Sequence, residues 1–216
     1  MTQTLEHSTA LAHSGNGAGM GFVPRANPTV GQRGIVVNTI DELWRLSQAF
    51  AKSGLAPKGI SSPEAIFTAV QLGLELGLSP MSALQSIAVV NGRPSIYGDA
   101  ALALVRGSGI CDFYTEFPSN DEIHSLAEQL AIALEYNEID EVKRLRREIA
   151  SKSTKMRRDA EDFGYTSISK RAGGINAVIR RFTIGDAKKA QLLGKSGPWV
   201  QYQERMLMWR SRGFNL

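Results

Sequence analysis

From Lys188 to Phe214 cations and rings alternate along the chain: Lys188, Lys189, Lys195, Trp199, Tyr202, Arg205, Trp209, Arg210, Arg212 and Phe214. That mixture suits a single-stranded nucleic acid, because cations track its phosphates and rings stack on its unpaired bases. Lys170, Arg171, Arg180 and Arg181 add four cations around Ala172-Gly173-Gly174, where the pattern predicts a hairpin with those side chains exposed. Tyr202, Met206 and Trp209 fall at i, i+4 and i+7, the spacing of a packed helix face, which leaves Trp199 as the ring for a ligand.

Other chemistries find little support. Gly194-Lys195-Ser196 matches the tail of a phosphate-binding loop, but the leading glycine is replaced by Lys189, and Pro198 interrupts the helix that must follow. Gly15, Gly17, Gly19 and Gly21 miss the dinucleotide fingerprint and follow no strand. Serine, histidine and acidic residues are too scattered for a triad, and no acidic cluster adjoins a lysine as in metal nucleases. His7, His13, His124 and the single Cys111 give neither zinc-ligand spacing nor an internal disulfide. The expectation is a non-enzymatic protein without catalytic residues, metal or cofactor. No run approaches the roughly 18 apolar residues of a membrane span, and Met1 to Gly21 lacks the pattern of a signal peptide. A soluble protein of a reducing cytoplasm is expected.

The net charge of +4 conceals a division. Up to Val142 seven Lys/Arg oppose fifteen Asp/Glu, whereas from Lys143 eighteen oppose six. Clustered cations gain by displacing counterions from a polyanion, so a nucleic-acid partner fits the C-terminal part. A solvated basic face over Lys143 to Arg158 accounts for part of the same excess.

The elements that must position these residues follow from capping and period. Residues 1–38, rich in Gly, Ser, Thr, Asn and Ala, read as a flexible arm. One main domain over 39–216 is expected. Thr39-x-x-Glu42 opens a helix ending at Gly54, and Ser62-Pro63 and Ser79-Pro80 open two more. The middle one carries Ile66, Ala69, Val70, Gly73, Leu74 and Gly77 inward, its two glycines allowing close backbone approach. Ile87 to Tyr97 around Asn91-Gly92 predicts a tight hairpin. Asp99 then caps a helix to Arg106 that is apolar nearly all round and expected to be buried, before a strand from Ile110 to Phe117. Residues 119–160 predict a charged helical hairpin opened by Ser119-x-x-Glu122, with Ile123, Leu126, Leu130 and Leu134 facing Ile139, Val142, Leu145 and Ile149. After the second hairpin, Asp186 caps a helix to Leu193 and Pro198-Trp199 opens the last one.

In this order, several motifs resemble those of the RecT-type single-strand annealing proteins of phages and prophages. They are Ala69-Val70-Gln71-Leu72-Gly73-Leu74-Glu75, Ile96-Tyr97-Gly98-Asp99 with Leu102 to Gly109, and Gly197-Pro198-Trp199-Val200 with Arg205-Met206. The likeness covers about Ile60 to Pro118 and Asp162 to Phe214. It implies an α+β fold, a small antiparallel sheet of two hairpins packed with helices, and a charged helical hairpin inserted at 119–160. It also implies ATP-independent annealing of complementary strands, a homo-oligomer on single-stranded DNA and a partner exonuclease. By position within the motifs, it implies DNA binding by Arg106, Lys170, Arg171, Arg180, Arg181, Lys188, Lys189, Lys195, Trp199 and Arg205. The hairpin over 119–160 is longer than the family's link, and the chain stops at Leu216 where relatives continue. The alternatives are a DNA-binding module or regulator without annealing activity and, further off, a metal-dependent DNA-processing enzyme.

Overall fold

The computed structural model describes residues 29–31, 34–57, 59–90, 92–194 and 196–216. Most of the expected flexible arm lies outside them. Its last part does not stay irregular: β1 (Thr29–Gly31) and β2 (Gly34–Val36) pair antiparallel.

A helical layer comes first. α1 (Ile40–Ser53), α2 (Pro63–Glu75) and α3 (Pro80–Ser86) open on Thr39, Ser62 and Ser79, whose hydroxyls accept the N–H of Glu42, Ala65 and Ser82. The Glu42 carboxylate reaches one residue beyond a capping box and accepts from the N–H of Asn38 at 2.8 Å. Ile66, Ala69, Val70 and Gly73 form the buried side of α2. A Cβ on Gly73 would stand 2.1 Å from that of Ala83, so the missing side chain lets α3 cross in backbone contact. Gly77 was expected to do the same but terminates α2 instead, with φ of +76°. The N–H groups of Gly77 and Leu78 turn back to the carbonyls of Leu74 and Gly73, a helix end that left-handed glycine permits.

β3 (Ile87–Val90) and β4 (Arg93–Ile96) form the first expected hairpin, with Val90 opposite Arg93. Asn91 of its turn lies outside the described residues. α4 (Asp99–Gly107) departs from expectation twice. It buries only Leu102, and Gly98 takes the N-cap position because the Asp99 carboxylate is engaged by Arg212.

The α+β class is as expected, and its centre is an antiparallel sheet in the order β5 (Cys111–Ser119), β6 (Gly164–Arg171), β7 (Ala177–Thr183). α5 (Asp121–Glu135) and α6 (Ile139–Ser153) link β5 to β6 and cover one sheet face. Ile123, Ala127, Leu130, Leu145 and Ile149 pack there against Ile168. The hairpin read as an insertion therefore packs against one face of the sheet. Ile139 is not part of that seam and stands exposed. Asn120 rather than Ser119 caps α5, since the buried Ser119 hydroxyl is 2.7 Å from that of Thr166.

α7 (Ile184–Lys189) is shorter than expected and begins one turn earlier, because Thr183 and Asp186 form a reciprocal capping box. The expected single last helix divides into α8 (Pro198–Gln201) and α9 (Gln203–Asn215), broken by the non-helical Tyr202 at φ −137° and ψ 49°. α9 lies along the sheet face opposite α5 and α6.

Candidate nucleic-acid interface

The inward side of α9 is Leu207, Ser211 and Asn215, one turn apart, and two of the three are polar. Small residues let the helix lie close to the sheet, and both polar side chains on this side bond to it. The Ser167 hydroxyl donates to the carbonyl of Ser211, and the Ser211 hydroxyl donates to that of Arg180, both at 3.0 Å. The Asn215 amide donates to the carbonyls of Ser167 and Val178 at 3.0 and 2.9 Å.

From the flank of α9, the buried Arg212 binds three elements together. Its Nε and Nη2 meet both oxygens of Glu116 on β5 at 3.0 and 2.5 Å. Its Nη1 donates to the carbonyl of Gly98 at 2.9 Å and to Asp99 at 2.7 Å. Planar, two-pronged pairing of this kind fixes direction as well as distance. Burial opposes the charge on Arg212, yet its bonds to Glu116 and Asp99 outweigh that and hold the guanidinium above its ordinary pKa. The guanidinium in turn holds the Asp99 carboxyl below the usual range. The Tyr114 hydroxyl donates to Glu116 at 2.7 Å, and burial followed by that carboxylate pushes its pKa up.

This anchor sets Tyr97-Gly98 over the outer side of α9. Gly98 has φ of +64°, and a Cβ there would stand 3.1 Å from Cζ2 of Trp209, so only glycine lets the indole close onto the backbone. Tyr97 meets Trp209 edge-on with centroids 6.2 Å apart, and the Arg205 guanidinium lies 5.6 Å from the centre of the same indole. Between the Ser95 to Gly98 segment and α9 runs a groove of about 460 Å³, lined also by Arg210 and Phe214. Tyr97 and Phe214 are 42% and 56% exposed, so both rings offer surface to a ligand.

The residues expected to bind DNA do not share one face. Arg205 borders the groove through Trp209. Arg106, at the end of α4, lies over the Tyr114 ring at 5.6 Å. Arg171, Arg180 and Lys189 are exposed. Three expectations need correction, those for Trp199, Arg181 and Lys170. Trp199 is 9% exposed and packs on Phe182 with a centroid distance of 6.4 Å, so its ring is core. Arg181 is turned beneath the sheet, where it pairs with Asp121 at 2.7 Å and reaches the carbonyl of Asp162. Lys170 donates to the carbonyl of Leu134 at 2.6 Å and to Asn137 at 3.2 Å, closing the end of α5. Lys188 stays exposed and pairs with Glu161 at the surface, 2.7 Å away, which does not contradict its expected role. Neighbouring residues on a strand point to opposite faces, so Lys170 and Arg171, or Arg180 and Arg181, could not all be outward on one side. Lys195 lies outside the described residues.

The charge division also resolves differently in space. Within the helical hairpin Lys152 pairs with Glu122, and Arg144 with Glu141 and Glu148, so part of the basic run is met by its own acids. The excess persists from Gly164 onward, where ten Lys/Arg oppose two Asp/Glu. Of these cations Arg171, Arg180, Lys189, Arg205 and Arg210 make no ion pair among the described residues. Motif reading missed that Tyr97 and Arg210 line one groove, although both stand in the motifs or in the run of alternating cations and rings.

Among the described residues no group of three or more acidic, histidine or cysteine side chains converges as metal ligands would, and no helix is long and apolar enough to cross a membrane. No protein-family model matches the chain, and neither a curated protein nor a solved structure matches it.

Proposed function

We propose that the protein binds single-stranded DNA along the groove between Tyr97-Gly98 and α9, and pairs complementary strands without ATP in phage-type recombination. The observation that carries this reading is the meeting of exposed rings, Tyr97 and Phe214, with Arg210 in the groove and Arg205 at its border, neither making an ion pair among the described residues. Rings that accept any base and cations that follow phosphates are what sequence-tolerant strand binding requires. The annealing step, a homo-oligomer on DNA and an exonuclease partner are what the RecT-type likeness adds. Tyr97-Gly98-Asp99, one of the motifs behind that likeness, is the segment Arg212 holds over α9.

Salt and mutation test the reading together. Each phosphate neutralised on a single strand contributes about −0.7 to the log-log salt slope, so about four to six contacts give a slope of about −3 to −4. Arg205→Ala with Arg210→Ala should lower the slope by about 1.4 and weaken binding, with thermal stability nearly unchanged at these exposed positions. A slope near zero for the intact protein would point to a protein partner instead.

A further inference from the structure

We infer that the outer edge of β5 takes up an extended acidic segment of a partner protein as an added strand, with Arg106 and Arg146 meeting it from the two faces of the sheet. This does not depend on the single-strand reading above, which concerns the groove along α9.

β5 is an edge strand: β6 pairs with one side of it and no strand pairs with the other. The open run is bounded at both ends. At one end the register shifts between Cys111 and Phe113, a bulge that interrupts pairing. At the other, Pro118 has no N–H, and its carbonyl accepts from the Ser153 hydroxyl at 3.0 Å. A proline within a strand turns its nitrogen to the unpaired side, so Tyr114 and Glu116, two and four residues earlier, direct their N–H and C=O groups outward as well. Beyond the β5–β6 ladder, no backbone bond reaches Tyr114 or Glu116 among the described residues. An extended peptide satisfies such groups by the ladder it forms, and the side chains on its two faces then select it.

Those two faces carry the same sign. Phe113 and Tyr114 are consecutive on β5 and point to opposite sides of the sheet. The guanidinium of Arg146, from α6, lies 5.8 Å from the centre of the Phe113 ring, and that of Arg106, from α4, lies 5.6 Å from the centre of the Tyr114 ring. Both arginines are exposed, and neither makes an ion pair among the described residues. Of the acids on β5, Glu116 is held by Arg212, and Asp112 lies at the bulge, outside the open run. An added strand stands about 4.8 Å beyond β5, which brings its side chains beside the two rings. Two successive acidic residues on it place one carboxylate on each face, one for each arginine. A second copy of this chain does not suit the edge. Two β5 edges side by side would bring both pairs of arginines together, and a β7 edge would bring the exposed Arg180.

The probe is a short blocked peptide of valine and threonine around a central Glu-Glu pair, labelled with a fluorophore and titrated with the full chain by anisotropy. Binding tighter than about 1 mM is expected, with amide hydrogen exchange slowed at Tyr114 and Glu116 in the complex. Arg106→Ala or Arg146→Ala should weaken it about threefold and the two together about tenfold, the scale of exposed ion pairs. The same peptide with Lys-Lys at its centre should not bind. Nor should the Glu-Glu peptide N-methylated at both glutamates, one of which faces β5 in either register. Equal binding of the lysine form would leave apolar contact alone, and equal binding of the methylated form would leave charge alone; either overturns the inference. So does a double variant that keeps the parent's affinity, or a complex without slowed exchange at Tyr114 and Glu116. No binding of the Glu-Glu peptide at about 1 mM overturns it too, and a double variant that then loses affinity for oligothymidylate assigns the two arginines to nucleic acid.

Discussion

Replacing Arg212 with alanine removes the side chain that joins α9, β5 and the start of α4. Its side chain is 4% exposed, and that of Glu116 is 19% exposed, so the substitution strands a mostly buried carboxylate together with the carbonyl of Gly98. Breaking a buried pair by deleting one partner costs about 3 to 5 kcal/mol. The Asp99 arm adds at most about 1 kcal/mol, because that carboxylate is largely exposed and screened. A loss of about 4 kcal/mol should lower the melting temperature by about 8 to 16 °C for a chain of this size. Urea unfolding followed by circular dichroism measures it directly. Adding Glu116→Gln should recover part of the loss, since the stranded charge is then gone, and the recovery in a double-mutant cycle should reach about 1 to 3 kcal/mol. An Arg212→Ala protein within about 1 kcal/mol of the parent, or a cycle without coupling, would refute the anchor.

Arg180→Ala should reduce DNA affinity with a stability change within about 0.5 kcal/mol, while the largely buried Arg181→Ala should destabilise by about 2 kcal/mol or more in chemical unfolding. Gly98→Ala should lose about 1 to 3 kcal/mol, because the left-handed backbone and the Trp209 indole both oppose a Cβ; thermal melts report it. His124, whose Nδ1 is 3.2 Å from the Thr166 hydroxyl, is held below its ordinary pKa by burial and then by Arg181. Below about pH 6.5 the unfolded chain therefore takes up the proton first, and stability should fall with pH until the folded site titrates too. In His124→Gln that loss should be absent, as paired urea titrations at about pH 7.5 and 5.5 would show.

Capping chemistry made the helical layer legible: Thr39, Ser62 and Ser79 each act as their types suggest, and Asn91-Gly92 with Ala172-Gly173-Gly174 marked both hairpins. The sheet-facing side of α9 was not legible, because Ser211 and Asn215 stand where hydrophobic periodicity looks for apolar residues. For the same reason Trp209 passed for core, and Trp199 for a ligand ring, when the break at Tyr202 places Trp199 in the packing and Trp209 in the groove wall. Composition could locate the cations but not divide them. Whether an arginine anchors or stays open depends on partners far along the chain, as Arg212 with Asp99 and Arg181 with Asp121 show.

Strand pairing tests the central claim most directly. Two complementary oligonucleotides labelled with a donor and an acceptor dye are mixed with the protein, without nucleotide triphosphate, and energy transfer is followed in time. The account predicts pairing faster than without protein, and a loss of that acceleration in Arg205→Ala with Arg210→Ala. If the protein binds the strands yet slows their pairing, it is a binding module without annealing activity, and the account is contradicted.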